Sequence, residues 1–478
     1  MSTSKLIKNS GIYVIVSVLQ KAITFFLLPL YTVFLTPSDF GTLNVVVSVS
    51  SLLSIFFLLS LNGAAARFHY QAVSDIEKIK SIWGTLCSFV ILNSVVLGST
   101  IILCHSFLLD PFIKEVDFFP LLFLGILNTV FSPLYIFFQY YLQTTQQGNH
   151  YGFNMLANFL INVALIILFV VKFEMGATGI LLANLITSIV FFVYTLIVFV
   201  PKIKIGINWK ILKPAFKYSL PLIPHSLSSW LTATIDRLFL NNMTSSAEVG
   251  VYSAGSQFGN IVNIFNSAVN QAYIPWFFQQ TNNIDKTETS IVDIAEAMTI
   301  VYCLLAFFIS IFSVEVLRLM VTAAYFDAWK VIPLISFAYV FNGLYYFFIN
   351  ILFLNKTKLV PIVTFTSALI SVSLNIVLIP KLGGVGAGIS FLVSVFCSSV
   401  LALVLSFKNE LKIRFKWVRM YLYVFVFGML SSIVYLPIPI HPLKFTIIKI
   451  SLFLLMVSIF FILFRKKLMK LKNIINVR

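Results

Sequence analysis

Apolar residues run in long stretches along this chain, each about the length of a membrane-spanning helix and each ended by polar, Gly or Pro residues. Fourteen helices follow from the pattern: Gly11–Leu35, Phe40–Leu61, Ile82–Leu108, Phe118–Leu142, Tyr151–Val171, Ala177–Val200, Tyr218–Leu240, Val251–Trp276, Ala297–Met320, Val331–Leu354, Leu359–Ile379, Val385–Phe407, Val418–Leu436 and Phe445–Phe464. The breaks carry loop chemistry: Thr36-Pro37-Ser38-Asp39 after the first helix, Asp110-Pro111 after the third, Gln146 to Asn149 after the fourth, and Leu436-Pro437-Ile438-Pro439 before the last. The first apolar run is too long for the core of a cleaved signal peptide and lacks a small-residue cleavage site, so it is expected to span.

The pattern repeats. Leu35-Thr36-Pro37-Ser38-Asp39-Phe40-Gly41 opens the second helix, and Met243-Thr244-Ser245-Ser246-Ala247-Glu248-Val249-Gly250 opens the eighth, at an offset of about 209 residues. Lys8-Asn9-Ser10-Gly11 matches Lys217-Tyr218-Ser219-Leu220 at the same spacing. Gly176-Ala177-Thr178-Gly179-Ile180 matches Gly383-Gly384-Val385-Gly386-Ala387-Gly388-Ile389 at nearly the same one. Two six-helix halves in the same orientation are expected, 1–206 and 207–407, with two further helices and a basic tail over 408–478.

Composition agrees with an all-α integral membrane protein. Of the 478 residues, 59% are hydrophobic and 10% charged, and mean hydropathy is +0.99; soluble chains carry about 25% charged residues. The formal charge of +17 would suggest nucleic acid in a soluble protein. Here the positive-inside rule accounts for it, and no nucleic-acid partner is expected. With both termini cytoplasmic, Lys and Arg on the inner side outnumber those on the outer side by more than three to one. The acidic segment Thr281–Asp293 is the exception. Cys87, Cys104, Cys303 and Cys397 all fall in apolar runs and are expected to be buried thiols, with neither a disulfide framework nor metal spacing.

Polar residues within the helices are the candidates for function. Ser256, Asn260, Asn263, Ser267 and Asn270 step along one face of the eighth helix, and Asn44, Ser48 and Ser51 along the second. Asn154, Asn158 and Asn162 do so on the fifth. Such stripes line a polar path or hydrogen-bond neighbouring helices; path lining is expected on the eighth and packing on the fifth. Lys21 lies near the middle of the first helix and faces either an anionic substrate or a carboxylate such as Asp236. Arg67 sits at the inner end of the second helix, as a positive-inside anchor or as a fork for phosphate. Asp236 and Arg237, adjacent on the seventh helix, point about 100° apart. Asp236 is a candidate proton carrier or one half of an ion pair between helices. Glu315 and Arg318 read as a local pair. Pro221 and Pro224 should bend the seventh helix near His225, a second candidate for ion coupling or a packing histidine.

Nothing points to catalysis, a cofactor or a metal: no phosphate-cradling loop, no acid/base constellation and no metal-ligand spacing are found. A glycan polymerase would also be expected to carry a folded outer loop, and all outer loops are short.

Several of these stretches carry a resemblance. Leu35 to Gly41, Asn62-Gly63-Ala64-Ala65-Ala66-Arg67-Phe68, Tyr218-Ser219-Leu220-Pro221-Leu222-Ile223-Pro224-His225-Ser226-Leu227 with Ile235 to Leu240, Gly250-Val251-Tyr252-Ser253, and Asn375 to Pro380 resemble the Wzx-type polysaccharide and O-antigen repeat-unit flippases. These belong to the multidrug/oligosaccharidyl-lipid/polysaccharide exporter superfamily. The resemblance implies a two-lobed fold of fourteen helices in a bacterial inner membrane. It implies movement of an undecaprenyl-pyrophosphate-linked oligosaccharide between leaflets for O-antigen, lipopolysaccharide, capsule or exopolysaccharide assembly, with a polymerase and chain-length machinery as partners. Alternating access through a polar cationic cavity would carry the substrate, with Lys21, Arg67, Asp236, Arg237, Asn260, Asn263 and Asn270 on its path. The competing readings are a multidrug or organic-cation antiporter, which should hold uncompensated carboxylates, and a lipid II flippase.

Overall fold

The computed structural model describes residues 3–281, 284–407, 413–436, 444–458, 460 and 462. The Pro437–Pro439 break and the basic tail from Arg465 lie outside them. Every element among the described residues is helical. In order these are α1 (Thr3–Phe26), α2 (Leu28–Phe34), α3 (Pro37–Leu58), α4 (Leu61–Gln71), α5 (Ile76–Leu103), α6 (His105–Leu108), α7 (Phe123–Thr144), α8 (Gly148–Ile166), α9 (Gly176–Val198), α10 (Trp209–Ser219), α11 (Ile223–Met243), α12 (Ser246–Gln280), α13 (Ile284–Ile311), α14 (Ser313–Met320), α15 (Ile332–Asn355), α16 (Val360–Ser406) and α17 (Trp417–Ser431). A last helix runs over 444–458.

Ten helices among the described residues are long and apolar enough to cross a membrane, and the chain is a multi-pass membrane protein. One of the ten contains α16 and is two segments: Gly383 takes φ +53° and ψ −133° and breaks the helix. The halves then run back together, with Ser367 Oγ donating to the Ser394 carbonyl at 3.1 Å. α11 and α12 have spanning length but are not among the ten, because Asn, Ser, Thr and Gln interrupt their apolar residues.

Local chemistry moves several boundaries. The second apolar run does not end at Leu61: Leu59 and Ser60 both turn left-handed, and α4 continues the chain in a new direction. Arg67 therefore belongs to α4. The first helix begins earlier and breaks at Leu27, ahead of Pro29. The bend at Pro221 is a tighter turn over Leu220–Leu222 between α10 and α11. Most of the expected loop Thr281–Asp293 is the first part of α13.

The chain forms two compact units, Met1–Gly250 and Val251–Arg478. In the first, Trp83 is enclosed edge-on by Phe137, Tyr141 and Phe199, and its Nε1 donates to His69 Nδ1 at 3.1 Å. Leu212 and Ala215 of α10 join the same core. In the second, α15 packs against both α13 and α16. There Tyr421 meets Phe341 and Phe348 and hydrogen-bonds Ser399 at 2.9 Å. Cys87 and Cys303 are buried, but against expectation Cys397 is only half-buried and Cys104, just past the end of α5, is exposed.

Candidate functional site

Within the first unit the two matched turns touch. Thr36 and Asp39 close a capping box on α3, with Thr36 Oγ1 accepting from the Asp39 amide at 3.2 Å and Asp39 Oδ2 accepting from the Thr36 amide at 3.1 Å. Ser245 Oγ accepts from the Glu248 amide at 3.2 Å in the equivalent place. A Cβ on Gly41 would lie 1.7 Å from the Ser246 carbonyl oxygen, and one on Gly250 would lie 1.9 Å from that of Pro37. Each glycine thus packs on the other turn's carbonyl, a reciprocal contact.

α11 lies against α3 in the same unit. Buried Trp230 donates its Nε1 to Ser51 Oγ at 2.9 Å and to the Ser48 carbonyl at 3.2 Å. The Asn44–Ser48–Ser51 stripe thus serves this contact and its own backbone: Asn44 Nδ2 donates to the Phe40 carbonyl and Ser48 Oγ to that of Asn44. At the end of α11, Asn241 donates to the Lys114 carbonyl, and Asn242 Oδ1 accepts from the Lys114 amide at 3.0 Å.

Asp236 is 5% exposed. Its Oδ1 accepts from Arg237 Nη1 at 3.1 Å and from the Arg237 amide at 2.8 Å. The guanidinium curls back along α11, where Nη1 also donates to the Ala233 carbonyl at 3.2 Å. Adjacent residues therefore share a contact despite the angle between them, because the long Arg stem spans it. Among the described residues no ion pair joins Lys21 to Asp236. Lys21 is exposed on α1, beside the seam where Gln20 donates to the Met155 carbonyl at 3.1 Å. Arg67 is exposed on α4, and its guanidinium carbon lies over the Tyr218 ring, 4.6 Å from the centroid, a cation–π contact. His225 is half-buried on α11. On the fifth apolar run, Tyr194 donates to Asn154 at 3.1 Å and Asn162 to Asn184 at 2.8 Å, which is helix-to-helix packing.

In the second unit, Asn263 Nδ2 donates to Asn260 Oδ1 at 2.9 Å along α12. Asn270 Oδ1 accepts from Asn350 of α15 at 3.2 Å. Asn260 and Asn263 thus form one partly exposed amide pair, while Asn270 sits in a helix contact.

Residues 6–281, more than half of the chain, match the family model described as "Polysaccharide biosynthesis protein". The chain belongs to this family. An uncharacterized membrane protein of Haemophilus influenzae is 27% identical over 286 residues, 58% of this chain and 66% of the relative, so the match spans a little under two thirds of that protein. Among solved structures, the lipid II flippase MurJ in an inward closed conformation aligns with a TM-score of 0.71 and 15% identity, over 94% of this chain and 98% of that one. An inward-facing multidrug resistance MATE family transporter of the MOP superfamily aligns with a TM-score of 0.61 and 16% identity, over 84% and 95%. The fold of this polysaccharide biosynthesis family member is that of MOP-superfamily transporters.

The second unit of this family member also holds two charge clusters that the sequence pattern did not reveal. Lys449, 2% exposed, donates to both oxygens of Glu315 at 2.8 and 3.0 Å. The expected Glu315–Arg318 pair is replaced by this one. Glu296, 1% exposed, accepts from Lys416 Nζ and from Tyr423 Oη, each at 3.2 Å, and Lys416 also reaches Asp293 at 3.2 Å. Glu288 accepts from the Arg414 amide at 2.7 Å. The acidic stretch is thus set against the basic segment ahead of α17. Neither cluster had a local signal, since the partners lie more than a hundred residues apart.

Proposed function

We propose that this protein is a flippase for undecaprenyl-pyrophosphate-linked oligosaccharide repeat units in a bacterial inner membrane, serving O-antigen, capsule or exopolysaccharide assembly. In this reading fourteen helices span, with two lobes over 1–206 and 207–407, two more helices beyond them and both termini cytoplasmic. The observation that carries it is the polarity of α11 and α12, helices of spanning length in an otherwise apolar bundle. Polar side chains at membrane depth belong against protein or a water-filled path, since hydrocarbon offers them no hydrogen bonds. Asn260, Asn263 and Asn270 would line that path beside the glycan. Lys21 would meet the pyrophosphate as a point charge, and Arg67, over the Tyr218 ring, would receive phosphate at the cytoplasmic mouth. His225 and Asp236 are the candidates for ion coupling, and a polymerase with its chain-length machinery would take the glycan on the far side.

The compensation of Asp236 by Arg237 supports an anionic substrate over an organic cation, which would need an uncompensated carboxylate. The test is translocation of lipid-linked oligosaccharide in proteoliposomes, with an organic cation as the competing substrate. Transport of the cation without movement of the oligosaccharide would overturn the reading. In cells, Lys21→Ala is expected to abolish surface polysaccharide at normal protein abundance. Normal polysaccharide at normal abundance would remove Lys21 from the path.

A further inference from the structure

α10 presents two different faces. Leu212 and Ala215 are buried in the Trp83 core, while Trp209 is 68% exposed and Lys210, Lys213 and Lys217 all lie open. Ile76 and Ile205 stand exposed on the neighbouring segments. A helix with a tryptophan and lysines on its open side belongs in the plane of a membrane interface. Between α10 and the junction of α4 with α5 lies a pocket of about 200 Å³. Phe68, Ile82, Ile211 and Pro214 are its apolar walls, and Gln71, Lys78 and Lys210 bring the polar groups.

The carboxylates nearest in sequence are already engaged. Glu77 pairs with Lys80 at 2.7 Å, and Asp75 caps α5 by accepting from the Lys78 amide at 2.9 Å. Among the described residues neither Lys78 nor Lys210 has a carboxylate partner.

We propose that this pocket binds the phosphodiester of an anionic phospholipid from the leaflet that α10 faces. The phosphate sits between the Lys78 and Lys210 ammonium groups, and the glycerol end of the lipid lies against Phe68, Ile82, Ile211 and Pro214. The apolar walls favour a lipid over a free phosphate ion, which could make no use of them. The pocket holds a headgroup and not a whole lipid. The proposal requires α10 to lie at a membrane surface and is independent of what the protein transports.

The test uses the purified full-length protein with phosphatidylglycerol or phosphatidylcholine of matched chains, and bound lipid is read by native mass spectrometry. The wild-type protein is expected to retain phosphatidylglycerol preferentially, and Lys78→Gln with Lys210→Gln to lose that preference, by about fivefold per lysine. Lys213→Gln, off the pocket, should keep it. Excess inorganic phosphate should not displace the lipid. If the double variant does not accumulate, Lys210→Gln alone, on an exposed face, should weaken phosphatidylglycerol binding by about fivefold. No preference in the wild type, an unchanged preference in the lysine variants, or displacement by inorganic phosphate would each overturn the proposal.

Discussion

Asp236 and Glu315 are both held by cations, but with different freedom once the partner is lost. Arg237 is 20% exposed, on a long stem that can swing outward, so Asp236→Asn leaves a cation able to find water. Lys449 is 2% exposed and held by both oxygens of Glu315, so Glu315→Gln strands an ammonium among helices. Orphaning one partner of a buried pair costs about 3–5 kcal/mol in soluble proteins. We therefore expect Glu315→Gln to lower thermal stability in detergent by about that much. Asp236→Asn should cost about 1–3 kcal/mol. Adding Lys449→Met to Glu315→Gln should recover most of the loss, and equal losses in the two single variants would refute the distinction. If Asp236 instead relays a proton, Asp236→Asn should abolish the dependence of transport on an imposed pH gradient, even in molecules that remain folded. Coupling that survives in Asp236→Asn excludes it as the carrier.

Between helices, the reciprocal glycines make the sharpest demand. Gly→Ala inside a helix normally stabilises by about 1 kcal/mol. Here the added methyl would sit within 2 Å of a carbonyl oxygen at either site, and overpacking of that kind costs about 1–3 kcal/mol. Gly41→Ala and Gly250→Ala are each expected to lower the melting temperature. The double variant should lose less than the sum of the two, since one displacement of the turns relieves both clashes. Full additivity would show that the turns respond independently. These turns were legible in the sequence because a cap, an acidic residue and a glycine at fixed spacing are local chemistry, and the apolar runs were legible for the same reason. α10 was not: its lysines read as a cytoplasmic loop, although Leu212, Ala215 and Ser219 fall on one helical face. Ion-pair partners were hidden more deeply. Glu315 has a cation three residues away in Arg318, yet it bonds Lys449, and only the packing of distant helices decides between them. Of the candidate path residues, the pairing of Asn260 with Asn263 follows from helical spacing, whereas the contact of Arg67 with Tyr218 required the left-handed turn at Leu59 and Ser60.

For the molecule as a whole, orientation would set the direction of the proposed transport. Lysine and arginine crowd the segments around α10 and ahead of α17, which the positive-inside rule predicts to be cytoplasmic. The acidic start of α13 was the one segment at odds with that placement. Its Glu288, Asp293 and Glu296 are set against Arg414 and Lys416 of a basic segment assigned to the same side, and acidic residues weigh little in the rule. The orientation can be read with a membrane-impermeant maleimide, provided the exposed native thiol is first removed by Cys104→Ser. In that background, Lys202→Cys, on an exposed residue ahead of α10, should label in inside-out vesicles and stay protected in right-side-out ones. Lys381→Cys, exposed beside the Gly383 break, should do the opposite. The two positions lie on different units and are predicted to be on opposite faces, so a shared labelling pattern would mean an odd number of crossings has been miscounted between them. A clean inversion of both would keep the helix count and reverse the direction, placing Arg67 at the outer leaflet, where a cytoplasmic lipid-linked precursor could not reach it first.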